Sequence, residues 1–345
     1  MTNPVAELTE KRNIDDEGLK LLLSGEYDGE LRKAADRIRR EVFGDKVYIR
    51  GLIEISSICK NDCYYCGIRA SNKNASRYRL TKDDITACVA MGKELGFSTF
   101  VLQGGEDGYF TDEILCSIIE EIKKIAPGCA VTLSLGERSS ESYKMLKAAG
   151  ADRYLLRHET ADEELYRRLH PENMSLENRK KCLFELKNTG FQVGSGFMVG
   201  APYQTIDNII SDIRFLQEID PAMIGIGPFV PHCDTVFSHM EHGSVELTLR
   251  LISILRIIFP QALIPATTAL GTVADGGREK GLIHGANVVM PNLSPEEARK
   301  SYNLYNNKLA TGAESAEGLK ILEEKIRGAG FVMSMERGDA PGYEI

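Results

Sequence analysis

The stretch IEISSICKNDCYYCG, which spans residues 53–67, places three cysteines directly after an apolar, strand-like run. Cys59, Cys63 and Cys66 are separated by three residues and then by two. A structural zinc site uses four protein ligands, and a simple ferredoxin-type iron–sulfur cubane uses four cysteines. Three thiolates are one short of either set. A cubane held by three cysteines would leave one iron free to bind a small molecule.

This CxxxCxxC spacing resembles the signature of the radical S-adenosylmethionine (SAM) superfamily. The resemblance implies one [4Fe-4S] cluster on Cys59, Cys63 and Cys66, the catalytic and metal-binding cysteines. Its open iron would chelate SAM, and its electron would cleave SAM to a 5′-deoxyadenosyl radical, while the protein supplies binding and orientation. Two alternatives are zinc with a fourth ligand from elsewhere and three ordinary buried cysteines. The chain has no second CxxC and no HxxxH pair to favour zinc.

Length and composition favour a globular, cytoplasmic protein. The 345 residues suit two domains or one large barrel, and a hydrophobic content of 43% allows a large core. The net charge of -8 argues against a nucleic-acid partner, which usually needs a basic face. Residues 1–8 contain no apolar signal-peptide core, and no apolar run approaches the length of a membrane span. Eight cysteines without framework spacing fit a reducing compartment.

Eight strand-like runs alternate with helical patterns from residue 47 onward. They are Val47–Ile55, Thr99–Gln103, Ala130–Ser134, Arg153–Arg157, Gln192–Met198, Met223–Gly227, Leu263–Thr268 and Asn287–Met290. This alternation predicts an α/β fold, a complete (β/α)8 TIM barrel, with a doubly wound open sheet as the alternative.

Three segments follow from this pattern. Apolar residues between Leu31 and Val42 recur on one helix face, which predicts an N-terminal helical extension over residues 1–46. The barrel is expected over residues 47–310, and a C-terminal helical tail over residues 311–345.

Polar residues stand at the ends of several predicted strands. Gln103 to Glu106 follow the second strand, Thr132 and Ser134 end the third, and Thr267 and Thr268 end the seventh. In a parallel barrel the C-terminal ends of the strands meet at one mouth, where functional groups gather. We therefore expect these side chains and the three cysteines to share one site.

The fourth strand carries charges at alternate positions. Arg153, Leu155, Arg157 and Glu159 share one side of this strand. Such a row inside a barrel is costly unless the charges are paired with each other or with a ligand. Two interpretations stay open: an internal ion-pair network, or a clamp for a cofactor carboxylate with Glu159 on a cationic or hydroxyl-bearing part of the cofactor.

We assign no role to the remaining histidines and cysteines that could bind a metal. His232, His239 and His242 cluster loosely after the sixth strand, lack the spacing of a metal site, and are interpreted as loop residues. Cys129 and Cys233 are isolated in the sequence.

A series of segments together resembles HydE, the radical SAM maturase family of FeFe hydrogenase. The series covers the chain from about Val47 to Tyr305 and is far more specific than the cysteine motif alone. The segments are Ile58–Arg69, Arg77–Thr81, Val101–Asp107, Thr132–Glu137, Asp152–Thr160, Gly225–Phe229, Ile264–Ala269 and Ala286–Asn292.

The resemblance also implies the roles of individual residues. The implied SAM contacts are Tyr65, Gly105, Ser134, Arg157, Glu159, Arg179 and Met223. The residues implied to line an internal substrate cavity are Gln103, Thr132, Thr267, Thr268, Met290 and Tyr302.

For this family the implied substrate is a small iron complex that carries cysteine, carbon monoxide and cyanide. The adenosyl radical would attack the cysteine sulfur, on the way to the diiron subcluster of the hydrogenase. The implied partners are the maturases HydG and HydF and a reductant such as ferredoxin or flavodoxin. Some members bind an auxiliary cluster near the C-terminus, but this chain has no cysteine after Cys233, so we expect one cluster.

Three rival functions are compatible with parts of the pattern. The nearest is a radical mutase like methylornithine synthase, which would abstract hydrogen from an amino acid. The HydE-like segments around Arg157–Glu159 and Ile264–Thr268 disfavour it. Biotin synthase needs a second, sulfur-donating cluster, for which only Cys129 lies near a strand. A non-catalytic zinc or iron–sulfur protein is the rival from another class.

Overall fold

Helices and parallel strands alternate along the chain in the computed structural model, which describes residues 3–343. The helices are α1 Pro4–Lys11, α2 Asp16–Leu23, α3 Asp28–Phe43, α4 Lys82–Glu94, α5 Asp112–Ile125, α6 Ser140–Ala148, α7 Glu163–Leu169, α8 Leu176–Asn188, α9 Ile206–Ile219, α10 Val245–Ile258, α11 Thr268–Val273, α12 Gly277–Ile283, α13 Glu296–Ser301 and α14 Leu319–Gly328. The strands are β1 Lys46–Ile49, β2 Gly51–Ser56, β3 Thr99–Gly104, β4 Ala130–Ser134, β5 Arg153–Leu155, β6 Gln192–Ser195, β7 Met198–Val199, β8 Met223–Ile224, β9 Gly227–Pro228, β10 Val288–Val289 and β11 Val332–Ser334.

Helices α1 to α3 precede the first strand. Most helices begin at a side chain that caps their free N–H groups, such as Thr81 for α4, which also forms a reciprocal capping box with Asp84. The expected apolar face of α3 is confirmed, since Leu31, Ala35 and Ile38 are buried, and α3 packs against α10. Within residues 3–343, we find no helix with both the length and the apolar character needed to cross a membrane.

The central sheet has six parallel strands in the order β2-β3-β4-β5-β6-β8. Pairing of β2 with β3 and of β3 with β4 places Glu54, Gln103 and Ser134 side by side. A second sheet has the order β10-β1-β11, and β7 pairs with β9. The parallel α/β architecture is therefore confirmed. Apolar residues between the strands and the helices, such as Ile53, Leu102 and Leu133, form the main core.

Several expected strands are shorter than predicted or divided. The expected first strand is interrupted at Arg50, because β1 pairs with β10 and β11 whereas β2 pairs with β3. The expected fifth and sixth strands each divide into two short strands. Leu263–Thr268 forms only isolated bridges, Met223 with Leu263 and Pro265 with Val288, because Pro265 has no N–H to donate and Thr267 already caps α11.

The C-terminal part contains a strand that the sequence did not predict. Helix α14 lies in the expected helical tail, but β11 then pairs in parallel with β1. Beyond β11, Arg337 and Asp339 contact the start of the central strands through Asp152 and Arg153. The expected extension and tail include residues 1, 2, 344 and 345, which lie outside the described part of the chain.

Candidate active site

The three motif cysteines lie in the loop that follows β2. All three thiols are free and partly buried. The backbone of the loop is held by its surroundings: Lys60 N–H donates to Glu106 O at 3.0 Å, and Tyr64 N–H donates to Leu169 O at 3.0 Å. The loop is therefore shaped by two other segments of the chain as well as by its own sequence.

The sulfur donors of this loop fit an iron–sulfur cluster. Burial raises the pKa of Cys66 to about 12 and also raises the pKa of Cys59 and Cys63. Buried thiolates of this kind need a bound cation to balance their charge. Among the described residues, the three sulfurs do not lie within 4.8 Å of one another, as ligands of a single ion would. A cubane attaches each thiolate to a different iron, so it suits this wider spacing better than one zinc ion.

The Gly104-Gly105-Glu106 turn contacts the cysteine loop directly. Gly105 N–H donates to Ser56 O at 3.1 Å, and Glu106 N–H donates to Cys59 Sγ at 3.3 Å. A Cβ added at Gly105 would lie 2.7 Å from Cys59 Cβ and nearer still to the Ile58 carbonyl oxygen. The absence of a side chain at Gly105 therefore allows the turn after β3 to pack against the cysteine loop.

The charged row on β5 divides between the two ends of the sheet. Arg153 is fully buried at the start of the strand and pairs with Asp339 at 2.6 Å, as the ion-pair interpretation predicted. Arg157 and Glu159 lie beyond the other end of β5, with a charged N–O distance of 3.0 Å. The two paired atoms are Arg157 Nη2 and Glu159 Oε2; neither makes a well-aligned hydrogen bond, and the buried Arg157 Nε has no partner within the described chain. These atoms fit a polar ligand such as SAM, which carries both a carboxylate and an amino group.

A buried histidine fixes the backbone that carries this pair. Ser195 Oγ donates to Leu156 O at 3.1 Å, so its oxygen is free to accept from His158 Nδ1–H at 2.9 Å. Glu159 N–H donates to Gly196 O at 3.1 Å, and Glu159 has a φ of 66°, in the left-handed region. A non-glycine residue in this region is strained and is held there by its surroundings.

Arg179, near the start of α8, reaches the same region. Its Nε lies 2.6 Å from Glu137 Oε1, and its Nη1 donates to Arg157 O at 3.3 Å. Burial alone would lower the pKa of Arg179, but Glu137 and other nearby anions raise it above the ordinary value. Arg179 is therefore a permanently charged, preoriented guanidinium. Sequence reasoning did not single out Glu137, because its pairing with α8 is a long-range contact.

Tyr65 is held by a histidine that sequence reasoning also missed. His170 Nδ1 lies 3.0 Å from Tyr166 O, and a carbonyl oxygen can only accept, so Nδ1 carries the proton. His170 Nε2 is then the acceptor for the Tyr65 hydroxyl at 3.2 Å. Burial lowers the pKa of His170 to about 3, which keeps this ring neutral. The Tyr166 ring stacks on His170, so His170 and Tyr166 together support Tyr65 and the cysteine loop.

One segment after α13 covers this end of the sheet. Gly67 N–H donates to Leu304 O at 2.9 Å, and Asn306 N–H donates to Pro231 O at 3.0 Å. Lys308 Nζ donates to Glu54 Oε1 at 2.5 Å, and Glu54 is fully buried. The segment is therefore tied to the cysteine loop and to β2.

A pocket of about 280 Å³ lies between these elements. Ten of the expected site residues line it: Cys59, Cys63, Cys66, Tyr65, Gly105, Arg157, Glu159, Arg179, Thr267 and Tyr302. The structure thus brings together groups that follow β2, β3 and β5, as the parallel arrangement predicted.

Six other expected residues do not line this pocket: Gln103, Thr132, Ser134, Met223, Thr268 and Met290. Gln103 and Ser134 are half-buried at the ends of their strands, and Thr132 is buried with its hydroxyl unpaired among the described residues. Thr268 donates to Glu314 Oε2 at 3.0 Å.

Met223 and Met290 belong to a separate apolar cluster with Leu263 and Val288. Met223, an implied SAM contact, therefore lies away from the pocket that most of the other implied contacts line. It is the first residue of β8, and its sulfur lies 3.2 Å from Arg50 Nη1.

Residues 53–216 match the model of the radical SAM superfamily. The chain is 48% identical over 308 residues to the "[FeFe] hydrogenase maturase subunit HydE" of Thermotoga maritima, covering 88% of each chain. The chain belongs to the HydE family of radical SAM enzymes. Membership of this family favours an enzyme with an iron–sulfur cluster over the zinc and non-catalytic interpretations of the cysteine motif.

Other relatives of this HydE-family enzyme have different named activities. The 3-methylornithine synthase of Methanosarcina acetivorans is 28% identical over 334 residues, covering 94% of this chain and 92% of the relative. The crystal structure of methylornithine synthase (PylB) superposes with a TM-score of 0.84 at 26% identity, covering 97% and 98% of the two chains. A crystal structure of HydG has the same fold, with a TM-score of 0.82 at 19% identity, covering 96% of this chain and 76% of HydG.

Proposed function

We propose that this enzyme performs the HydE step in the maturation of FeFe hydrogenase. The observation that carries the proposal is the 48% identity to the Thermotoga maritima maturase over 88% of both chains. The proposed substrate is a small iron complex with cysteine, carbon monoxide and cyanide ligands, attacked at its cysteine sulfur. HydG would supply this complex, HydF would receive the product, and a cytoplasmic ferredoxin or flavodoxin would supply electrons.

The cysteine loop and the charged groups beside it would hold the cofactors. When bound, the [4Fe-4S] cluster and SAM supply a 5′-deoxyadenosyl radical. Cys59, Cys63 and Cys66 would hold the cluster, and the buried, preoriented Arg179 suits the SAM carboxylate. Glu159, whose Oε2 pairs with Arg157 Nη2 at 3.0 Å but makes no well-aligned hydrogen bond within the described chain, suits the SAM amino group.

The other proposed SAM contacts are Tyr65, Gly105, Ser134, Arg157 and Met223. Met223 is the weakest of them, because it packs away from the mouth. Gln103, Thr132, Thr267, Thr268, Met290 and Tyr302 are proposed to face the substrate further inside.

We further propose that the strands form one closed (β/α)8 barrel over residues 47–310, between an N-terminal helical extension and a C-terminal tail. Support comes from the parallel bridges that continue the sheet from β8 to Leu263 and from Pro265 to β10. The bridge between Leu52 on β2 and Asn292 after β10 joins the two ends of the series. A closed barrel would surround the substrate and protect a radical from solvent.

The first test is anaerobic reconstitution with iron and sulfide. We expect one cubane per chain, about four iron atoms, and an EPR spectrum of the reduced cluster that changes when SAM is added. Cys63→Ala should abolish SAM cleavage. A variant that cleaves SAM normally would contradict the cluster assignment, and about eight iron atoms per chain would contradict the single cluster.

The second test addresses the maturation role. Expression of this chain in a host that makes FeFe hydrogenase but lacks its own HydE should restore hydrogenase activity. Cys63→Ala should not restore it. Cleavage of SAM in vitro without restoration in the host would keep the radical SAM chemistry and refute the proposed substrate.

A second candidate function is supported by the structural match to methylornithine synthase, which covers nearly all of both chains. Formation of 3-methylornithine by the reconstituted enzyme would favour it. Its absence, together with restored hydrogenase activity, would favour the maturase.

A further inference from the structure

Three consecutive residues after β9 present metal-binding side chains to one another. His232, Cys233 and Asp234 each offer one ligand atom, and these atoms all lie within 4.8 Å of one another. His232 Nδ1 is 3.9 Å from Cys233 Sγ and 4.0 Å from Asp234 Oδ2. This grouping was not predicted, because the spacing of the histidines in the sequence is not that of a metal site.

The separations between these atoms are close to those around a bound metal ion. With ordinary zinc bond lengths, tetrahedral geometry places nitrogen and sulfur ligands about 3.6 Å apart, and nitrogen and oxygen ligands about 3.4 Å apart. The observed nitrogen–sulfur distance of 3.9 Å and nitrogen–oxygen distance of 4.0 Å exceed these values by about 0.3 Å and about 0.6 Å. Small side-chain rotations would be enough to close the site.

The protonation of His232 already suits metal binding. Asp234 N–H donates to His232 Nδ1 at 3.1 Å, so Nδ1 carries a lone pair and not a proton. That lone pair is on the side of Cys233 and Asp234. A metal would replace this hydrogen bond, at a cost of about 1 kcal/mol, which a metal–nitrogen bond readily exceeds.

Surrounding side chains hold the ligands in place. Asn74 Nδ2 donates to Asp234 Oδ1 at 2.9 Å, and Asn72 Nδ2 donates to Asp234 Oδ2 at the longer distance of 3.5 Å, which leaves a second lone pair of Oδ2 for a metal. Cys233 N–H donates to Asn306 Oδ1 at 3.0 Å, and Thr235 Oγ1 donates to His232 O at 2.8 Å. Hydrogen bonds that orient ligands in this way are typical of metal sites.

We propose that His232 Nδ1, Cys233 Sγ and Asp234 Oδ2 form an accessory site for a divalent, thiolate-accepting cation such as Zn²⁺ or Fe²⁺. The site is separate from the cluster cysteines. Three protein ligands leave a coordination position open, and Cys233 is exposed, so the metal would be exchangeable. The His232 ring touches the position of Gly67, directly after the third cluster cysteine, so the accessory metal would lie beside the cluster loop.

Zinc is a suitable probe, because its X-ray absorption edge is distinct from that of iron. The cluster-loaded enzyme would be dialysed anaerobically against zinc, and its zinc and iron contents would be measured. We expect one zinc per chain with one sulfur neighbour at about 2.3 Å, and nitrogen or oxygen neighbours at about 2.0 to 2.2 Å. Iron content should not change.

Variants distinguish this site from other thiols. Cys233→Ser should remove the sulfur neighbour and weaken zinc binding at least tenfold, and Asp234→Asn should weaken binding but keep the sulfur. Cys116→Ser, which changes a partly buried thiol on α5, is the matched control and should bind zinc as the parent does. Unchanged binding in Cys233→Ser, three sulfur neighbours with loss of iron, or no stoichiometric zinc would each overturn the proposal.

Discussion

Replacing Gly105 with alanine should disturb the cysteine loop. The added Cβ would lie 2.7 Å from Cys59 Cβ and 2.9 Å from the Ile58 carbonyl carbon. Ordinary contacts between carbon atoms begin near 3.4 Å, so the shortfall is roughly 0.7 Å against Cys59 Cβ. Because the obstructing atoms belong to backbone and to a Cβ, no side-chain rotation can relieve the overlap.

The expected cost is larger for function than for stability. Overpacking of this kind usually destabilises a protein by about 1 to 3 kcal/mol, which the fold should survive. A displacement approaching 1 Å between the turn and the cysteine loop can reduce a rate by about 10²-fold. We therefore expect Gly105→Ala to fold but to retain less iron, bind SAM more weakly, and form 5′-deoxyadenosine about 10²-fold more slowly.

Gly108→Ala is the matched control in the same loop. A Cβ at Gly108 meets nothing within 4 Å, and Gly108 is exposed. Both variants would be reconstituted in parallel and compared by iron content, SAM affinity and the rate of 5′-deoxyadenosine formation. Equal values for the two variants would refute the conclusion that close packing of Gly105 shapes the cofactor site.

Three other predictions concern buried polar pairs at the two ends of the sheet. Asp339→Ala leaves fully buried Arg153 without its carboxylate partner, so the free energy of unfolding should fall by about 3 kcal/mol in denaturant titrations; a change under 1 kcal/mol would contradict the pairing. Ion pairs lower the pKa of Asp152 and Asp339 below 3.8 despite burial. The stabilisation of the fold by these two carboxylates is therefore present above pH 3.8 and should be lost as the pH falls through their folded pKa values. Denaturation of the parent and of the Asp339→Ala variant at about pH 2 to 5 would show this loss. His170→Ala removes the acceptor of the Tyr65 hydroxyl, so SAM should bind several-fold more weakly at unchanged iron content. Adding Tyr65→Phe to this variant should weaken SAM binding no further. Additive losses would show that the two residues act separately.

Sequence reasoning identified the parts of the site that are encoded locally. The cysteines and the Gly104-Gly105-Glu106 turn are short motifs that directly follow strands β2 and β3, so their place at the carboxyl ends followed from the fold class. Arg179 could be named only through the resemblance to HydE, since nothing in its own helix marks it.

Residues that act through long-range contacts could not be predicted. Glu137, His170 and Lys308 reach partners that are distant in sequence, Arg179, Tyr65 and Glu54 respectively. Strand β11 was missed for a similar reason, because its pairing with β1 joins residues near opposite ends of the chain. Leu263–Thr268 was wrongly predicted as a continuous strand, because its apolar pattern is typical of a strand although Pro265 has no N–H with which to pair.

The two ends of β5 show how one strand serves both folding and binding. At its start, Arg153 donates to Arg337 O, Gly338 O and Asp339 Oδ1, so the protein itself satisfies the buried charge. Beyond its other end, Arg157 Nη2 and Glu159 Oε2 pair at 3.0 Å without a well-aligned hydrogen bond, and the buried Arg157 Nε has no partner in the described chain. Each such atom costs about 1 to 3 kcal/mol unless a ligand supplies the partner. The contrast between the fully bonded Arg153 and the incompletely bonded Arg157, which lines the pocket beside the cysteine loop, supports the proposed SAM site at that end of the sheet.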